Sequence, residues 1–84
     1  MPYIRQDDRE RLRPLLIGLS EIIETPGELA YVVTRLMLGY WRRAPSYQRW
    51  AEMRGAVADQ IDEFRRRVVD EYEDRKRGEN GDVF

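Results

Sequence analysis

Apolar residues recur along the chain at three- and four-residue intervals, the repeat of one face of an α-helix. Leu15, Leu16, Leu19, Ile22 and Ile23 form the first such run. Pro14 lies just ahead of it, and proline is comfortable in the first turn of a helix, so the run predicts a helix over residues 13–24. Upstream, Asp7 and Asp8 are helix-start residues, and Arg9 to Arg13 could form a short turn that Pro14 interrupts. Residues 1–5 read as an extended arm, because Pro2 and Tyr3 begin no useful helix.

The clearest boundary follows. Thr25-Pro26-Gly27-Glu28 is a capping box with proline at the first helical position. It predicts a helix over 26–43, with Leu29, Val32, Val33, Leu36, Met37, Tyr40 and Trp41 on its inner side. Pro45 stops that helix and Ser46 caps a third, predicted over 46–77, whose apolar residues run Trp50, Val57, Ile61, Phe64, Val68, Tyr72. From Val57 onward the spacing is four, three, four, four, close to a heptad seam. Gly78-Glu79-Asn80-Gly81-Asp82 should break the helix and leave a tail, residues 78–84, ending in Val83-Phe84.

The pattern therefore predicts an all-α fold, a small bundle of three main helices in a single domain spanning residues 1–84. A helix of about 30 residues is roughly 45 Å long, more than two shorter partners can cover. A chain of 84 residues without a disulfide or metal staple commonly completes its core by self-association. A homo-oligomer, with a second copy covering part of the long seam, is the expected form.

Composition narrows the chemistry. There is no Cys and no His, which excludes the usual zinc sites and every Cys- or His-based catalytic centre. No apolar run approaches the roughly 20 residues of a membrane span, and Met-Pro-Tyr-Ile opens no signal peptide, so a cytoplasmic protein without membrane contact is expected. Charge is plentiful (37%) yet nearly balanced, 15 positive against 16 negative. Residues 1–28 carry net −2, residues 29–58 net +4 and residues 59–84 net −3. A duplex nucleic-acid binder shows a dominant basic face; a basic middle between acidic ends suits a small anionic ligand better. Of the bases only Lys76 is not Arg, and Arg is the better fork for phosphate.

Several constellations could carry function, each with a plain structural alternative. In the stretch from Tyr40 to Trp50, four aromatics and three Arg could stack a base and neutralise a phosphate, or could pack a helix corner. Arg65-Arg66-Arg67 spans about 200° of helix surface, which brings at least one Arg close to the Phe64–Val68 seam and in need of an anion. The alternative is a solvated face paired with Asp62, Glu63, Asp70 and Glu71 at helical spacing. Tyr31, Thr34 and Arg35 share a face of the second helix and offer two hydroxyls beside a guanidinium, or simply the half-wet rim of a core helix. In the tail, Asn-Gly is a turn dipeptide followed by two apolar residues, so a docked tail would bring Asn80 to a site. Carboxylate pairs at i, i+3 (Glu21/Glu24, Asp59/Asp62, Glu71/Asp74) could hold Mg²⁺ in an NTP pyrophosphohydrolase-like enzyme, but such pairs are common by chance in acidic helices.

Taken together, Met1-Pro2-Tyr3-Ile4, Glu24 through Tyr31 with Thr34-Arg35-Leu36, Ser46-Tyr47-Gln48, and the close Arg66-Arg67-Val68-Val69, Tyr72-Glu73-Asp74 and Glu79-Asn80-Gly81-Asp82-Val83-Phe84 resemble a family of short helical proteins from bacteriophage and metagenomic sequences that carry a domain-of-unknown-function label. The family pattern usually has Asn at position 30, where this chain has Ala30. The resemblance supplies a context and no mechanism: small self-assembling phage proteins include sponges that sequester cyclic-nucleotide immune signals. The leading expectation is therefore an anti-defence sponge, a non-enzymatic homo-oligomer that binds a small anionic nucleotide without cofactor or metal. Arg35, Arg66, Arg67 and Lys76 would meet phosphate, Tyr31, Tyr47 or Tyr72 would stack a base, and Thr34 and Asn80 would add polar contacts. A protein–protein adaptor or inhibitor working through the long helix is the alternative, and the Mg²⁺ enzyme comes third.

Overall fold

The computed structural model describes residues 4–84, and over these the chain is all-α. Four α-helices follow one another: α1 (Gln6–Ile22), α2 (Pro26–Arg43), α3 (Tyr47–Phe64) and α4 (Asp70–Asn80), with a π-helical turn, Arg65–Val69, joining α3 to α4. The extended arm expected over 1–5 lies mostly outside the described residues; Arg5, at the start of α1, has extended backbone (φ −69°, ψ 155°).

The helix starts follow the sequence closely where a cap is present. At the head of α2, Glu28 N–H donates to Thr25 Oγ1 at 3.1 Å, and the Glu28 carboxylate accepts from Thr25 N–H at 3.0 Å. The box is reciprocal, and Pro26 fills the first position, where no N–H is required. At the head of α3, Arg49 N–H donates to Ser46 Oγ at 3.0 Å. Both starts were legible because a side-chain oxygen replaces a missing backbone acceptor at a fixed spacing.

Three boundaries differ from expectation. The first helix begins at Gln6, not near residue 13, and runs through Pro14. Proline removes one i→i−4 hydrogen bond and crowds one carbonyl, but eight helical residues on either side of it carry the helix through. Asp7 and Asp8 lie in its first turn, where they complement the helix dipole. The same helix stops at Ile22, before Glu24, because Glu24 N–H donates to the Glu28 carboxylate at 2.9 Å and Ile23 is extended. Finally, Gly78 does not break the last helix, which ends at Gly81. There φ reaches +86°, a region open to glycine, and Gly81 N–H closes on the Arg77 carbonyl at 2.8 Å.

The described residues divide into two compact units, one ending at Trp50 and one beginning at Ala51. In the first unit, Val32, Met37, Leu38 and Trp41 of α2 are half-buried, while Leu29 and Leu36 stay more than half exposed. In the second, Met53 is the one residue among those described that is buried. The long apolar line is open: Ile61 is 70% exposed, Phe64 60%, Val68 48% and Tyr72 52%.

The π turn explains the irregular spacing of that line. From Val57 to Tyr72 is fifteen residues over four turns, about 3.75 per turn against 3.6 for an α-helix. An unbroken α-helix would carry Tyr72 roughly 80° away from Phe64. Asp70 N–H instead reaches the Arg65 carbonyl, a five-residue closure that takes up one extra residue and returns Tyr72 to the stripe.

Candidate functional site

The expected site residues fall in both units, and each set is described by itself. In the second unit, Arg66 and Arg67 close on one carboxylate. Arg66 Nη2 meets Glu63 at 2.7 Å and Arg67 Nε meets it at 2.5 Å, at i, i+3 and i, i+4. Both guanidiniums are largely exposed (69% and 65%), while the Glu63 side chain is only 22% exposed. Neither Arg is drawn into the seam, as the 200° argument required. Helical geometry places their carboxylate partner on the solvent side, one turn back. The Arg66 hydrogen bond first, opposed by desolvation and joined by the Arg67 hydrogen bond and both positive charges, holds the Glu63 carboxyl below its usual range.

One turn beyond, Lys76 Nζ lies 5.6 Å from the centre of the Tyr72 ring and 3.4 Å from Glu79. The ring is thus capped on one side by a cation and half-exposed. Asn80 is the last residue of α4 rather than part of a loop. The tail turns at Gly81, where the Asp82 carboxylate accepts from Phe84 N–H at 2.9 Å. Val83 and Phe84 are almost fully exposed, so the tail is not docked within the single chain.

In the first unit, Tyr31 lines an open apolar cleft of about 460 Å³ where α1 meets α2, with Leu19, Ile22, Ile23, Gly27, Glu28 and Val32. Thr34 and Arg35 are exposed on α2, and Arg35 forms no ion pair among the described residues. Backbone donors at Glu24 and Thr25 hold the Glu28 carboxyl at the cleft edge below its usual range. Tyr47 is 88% exposed at the first position of α3.

The corner from Tyr40 to Trp50 resolves in favour of structure at one residue. Arg49 Nε donates to the Tyr40 carbonyl at 2.7 Å, and its guanidinium lies 3.8 Å above the Tyr40 ring. One side chain therefore satisfies a carbonyl in the last turn of α2 and covers an aromatic face. Sequence reasoning noticed the cluster but did not single out Arg49; a ring and an Arg on opposite sides of a proline turn were the available signal.

The carboxylate pairs do not converge. Among the described residues no group of three or more acidic side chains is placed to hold a metal ion. Asp74 is engaged by Arg77 at 2.9 Å. Nor, among the described residues, is any helix long and apolar enough to cross a membrane.

A family model for DUF6899, a domain of unknown function, matches residues 1–83. The chain belongs to that family. The match takes in the capping box of α2, the Arg66–Arg67 pair and all but the last residue of the tail, so the resemblance read from the end motifs holds at the level of the family. No curated protein and no solved structure matches the chain. For this DUF6899 protein, function must come from the geometry.

Proposed function

We propose that this DUF6899 protein acts by binding, as a homo-oligomer that captures a small anionic ligand of the nucleotide class and holds it without turnover. The observation that carries the reading is the Arg66–Arg67 fork: two exposed guanidiniums already converge on a single anion, the Glu63 carboxylate. Exposed ion pairs contribute little net free energy, because water screens them and two long side chains must be ordered. A phosphate, with more charge and more acceptor oxygens than a carboxylate, can therefore displace Glu63 at small cost.

Two features of the first unit support the same chemistry. Among the described residues Arg35 forms no ion pair, and Tyr31 presents its ring and hydroxyl beside an apolar cleft. In an oligomer, such groups from different copies can share a ligand. The biological role we infer is sequestration of a cyclic-nucleotide or related immune signal by a phage-encoded sponge acting in the host cytoplasm. It rests on the class of protein the sequence resembles and on the surface chemistry above.

The test is titration of the full chain with a panel of linear and cyclic nucleotides by calorimetry. Arg66→Ala and Arg67→Ala should each lose at least tenfold in affinity while far-ultraviolet circular dichroism is unchanged. Equal affinity in both variants would remove the fork from the site. Failure of the whole panel would remove the ligand reading. The second reading, an adaptor that docks on another protein through its long helix, is favoured by the exposed Ile61–Tyr72 line. It predicts capture of a defined partner that Phe64→Asp abolishes, with no nucleotide affinity.

A further inference from the structure

We infer that this apolar stripe packs against a second, antiparallel copy of this chain, with Phe64, Val68 and Tyr72 at the centre of the interface by the π turn and Ile61 and Val57 toward its ends, against the last turns of α4. The inference rests on the self-association part of the proposed function and is independent of the ligand. The π turn is the first observation: it adds one residue to a helical turn at the one place where the apolar spacing needs it, keeping five side chains on one line. A helix that had no use for a continuous line would gain nothing from that irregularity.

Exposure is the second. The five residues range from 37% to 70% exposed. With large side chains presenting about 150–250 Å² each, the stripe leaves roughly 500 Å² uncovered. That is near the upper end of what a monomer leaves open. With the stems of its charged flanks it approaches the ~800 Å² per partner of a standard interface.

Charge selects the occupant. Along this stretch the charged residues come in alternating blocks: Asp59, Asp62 and Glu63, then Arg65 to Arg67, then Asp70 to Asp74, then Arg75 to Arg77. A second copy running antiparallel about Val69 places each block against one of opposite sign. On one flank of the stripe Arg67 faces Glu71 of the second copy, and Glu63 faces Arg75. On the other Arg65 faces Glu73. Two-fold symmetry makes each pair twice. The same register is staggered for packing: Phe64 falls between Tyr72 and Lys76 of the other copy, and Tyr72 between Phe64 and Val68, the arrangement of knobs in holes. Arg66 lies on the helix side opposite the stripe and stays open to a ligand.

The chain has no cysteine, so an introduced thiol reports on its own position alone. Sedimentation equilibrium of the full chain without nucleotide should give a dimer or a multiple of one. Under mild oxidation Val68→Cys should cross-link to itself, while Ile61→Cys, about sixteen residues from its copy in this register or roughly 24 Å, should not. A monomer, or equal cross-linking of both variants as a parallel pair would give, overturns the inference. Because a seam variant can also fail to fold, a charge exchange checks the register: Arg65→Glu should weaken association about tenfold, and Arg65→Glu with Glu73→Arg should restore it. An unrescued double variant also overturns it. A dimer that binds no nucleotide leaves this interface standing and ends the ligand reading; a nucleotide-binding monomer does the reverse.

Discussion

The corner at Thr25 and the stripe around Val68 are built from opposite kinds of information. At the corner, three backbone donors (Glu24 N–H, Thr25 N–H, Glu28 N–H) find side-chain acceptors within four residues in sequence. Nothing distant is required. Around Val68 the backbone is equally regular in its hydrogen bonding, but its side chains are apolar and uncovered, and the turn is wound to keep them in line. The corner is complete in one copy of the chain; the stripe is left uncovered in it. A short polypeptide can thus specify its helices by local bonds while leaving part of its apolar surface open.

The largest effect should come from changing the winding. Inserting one alanine after Val69 adds a residue beyond the one the π turn takes up. With the π turn kept, Tyr72 then leaves the stripe by one residue's rotation, about 100°. Sedimentation should show assembly weakened by well over tenfold, with helix content by circular dichroism nearly unchanged. If association is unaffected, the stripe is not a continuous surface and the contrast with the corner fails.

Next comes the corner itself. Thr25→Ala removes the acceptor for Glu28 N–H and should cost about 1 kcal/mol, or roughly 4–8 °C in melting temperature for a domain of this size. The loss should be the same at high and low protein concentration, since the cap is internal to one chain. Arg49→Lys at the second corner keeps the charge but loses the fork over Tyr40 and its bond to the carbonyl, for about 1 kcal/mol by thermal melting. The smallest effect belongs to Arg77→Ala, which breaks only an exposed pair with Asp74 and should shift stability by less than about 0.5 kcal/mol.

Acid separates the same two regions differently. The Glu28 and Glu63 carboxyls are both held below the usual carboxylate range, Glu28 by the backbone donors of Glu24 and Thr25, Glu63 by the guanidiniums of Arg66 and Arg67. Each binds its proton less readily in the folded chain than in the unfolded one. Their support is therefore complete above the unfolded carboxylate value and is lost as pH falls through the lower folded values. Helicity followed by circular dichroism from neutral pH downward should hold and then decline. Glu28→Gln should flatten the part of that decline that belongs to α2.

What was legible in the sequence follows from range. The start of α2 at Pro26 and its end at Arg43 were readable because cap, proline and stop lie within a few residues of the bonds they control. The start of α1 was misread because Pro14 was weighed as a local stop, when the hydrogen bonds on either side of it outnumber the one it removes. The partner of the Arg triplet was among the candidates, but spacing alone could not choose Glu63 over Asp62, Asp70 or Glu71. That choice needed the positions of two long side chains around one carboxylate. Arg49 was hidden for the same reason, its carbonyl partner lying nine residues back across a proline turn.

The sequence by itself determined that this protein is helical, where its two middle helices begin, and that no thiol or imidazole chemistry is open to it. Those facts depend on composition and on hydrogen bonds of short sequence range. Only the tertiary structure decided that α1 passes through Pro14, that the last helix takes a π turn and that the apolar stripe remains uncovered. The physical reason is that winding and burial are collective: a residue's rotation about a helix sums over every turn before it, and its exposure depends on all that packs, or does not pack, against it.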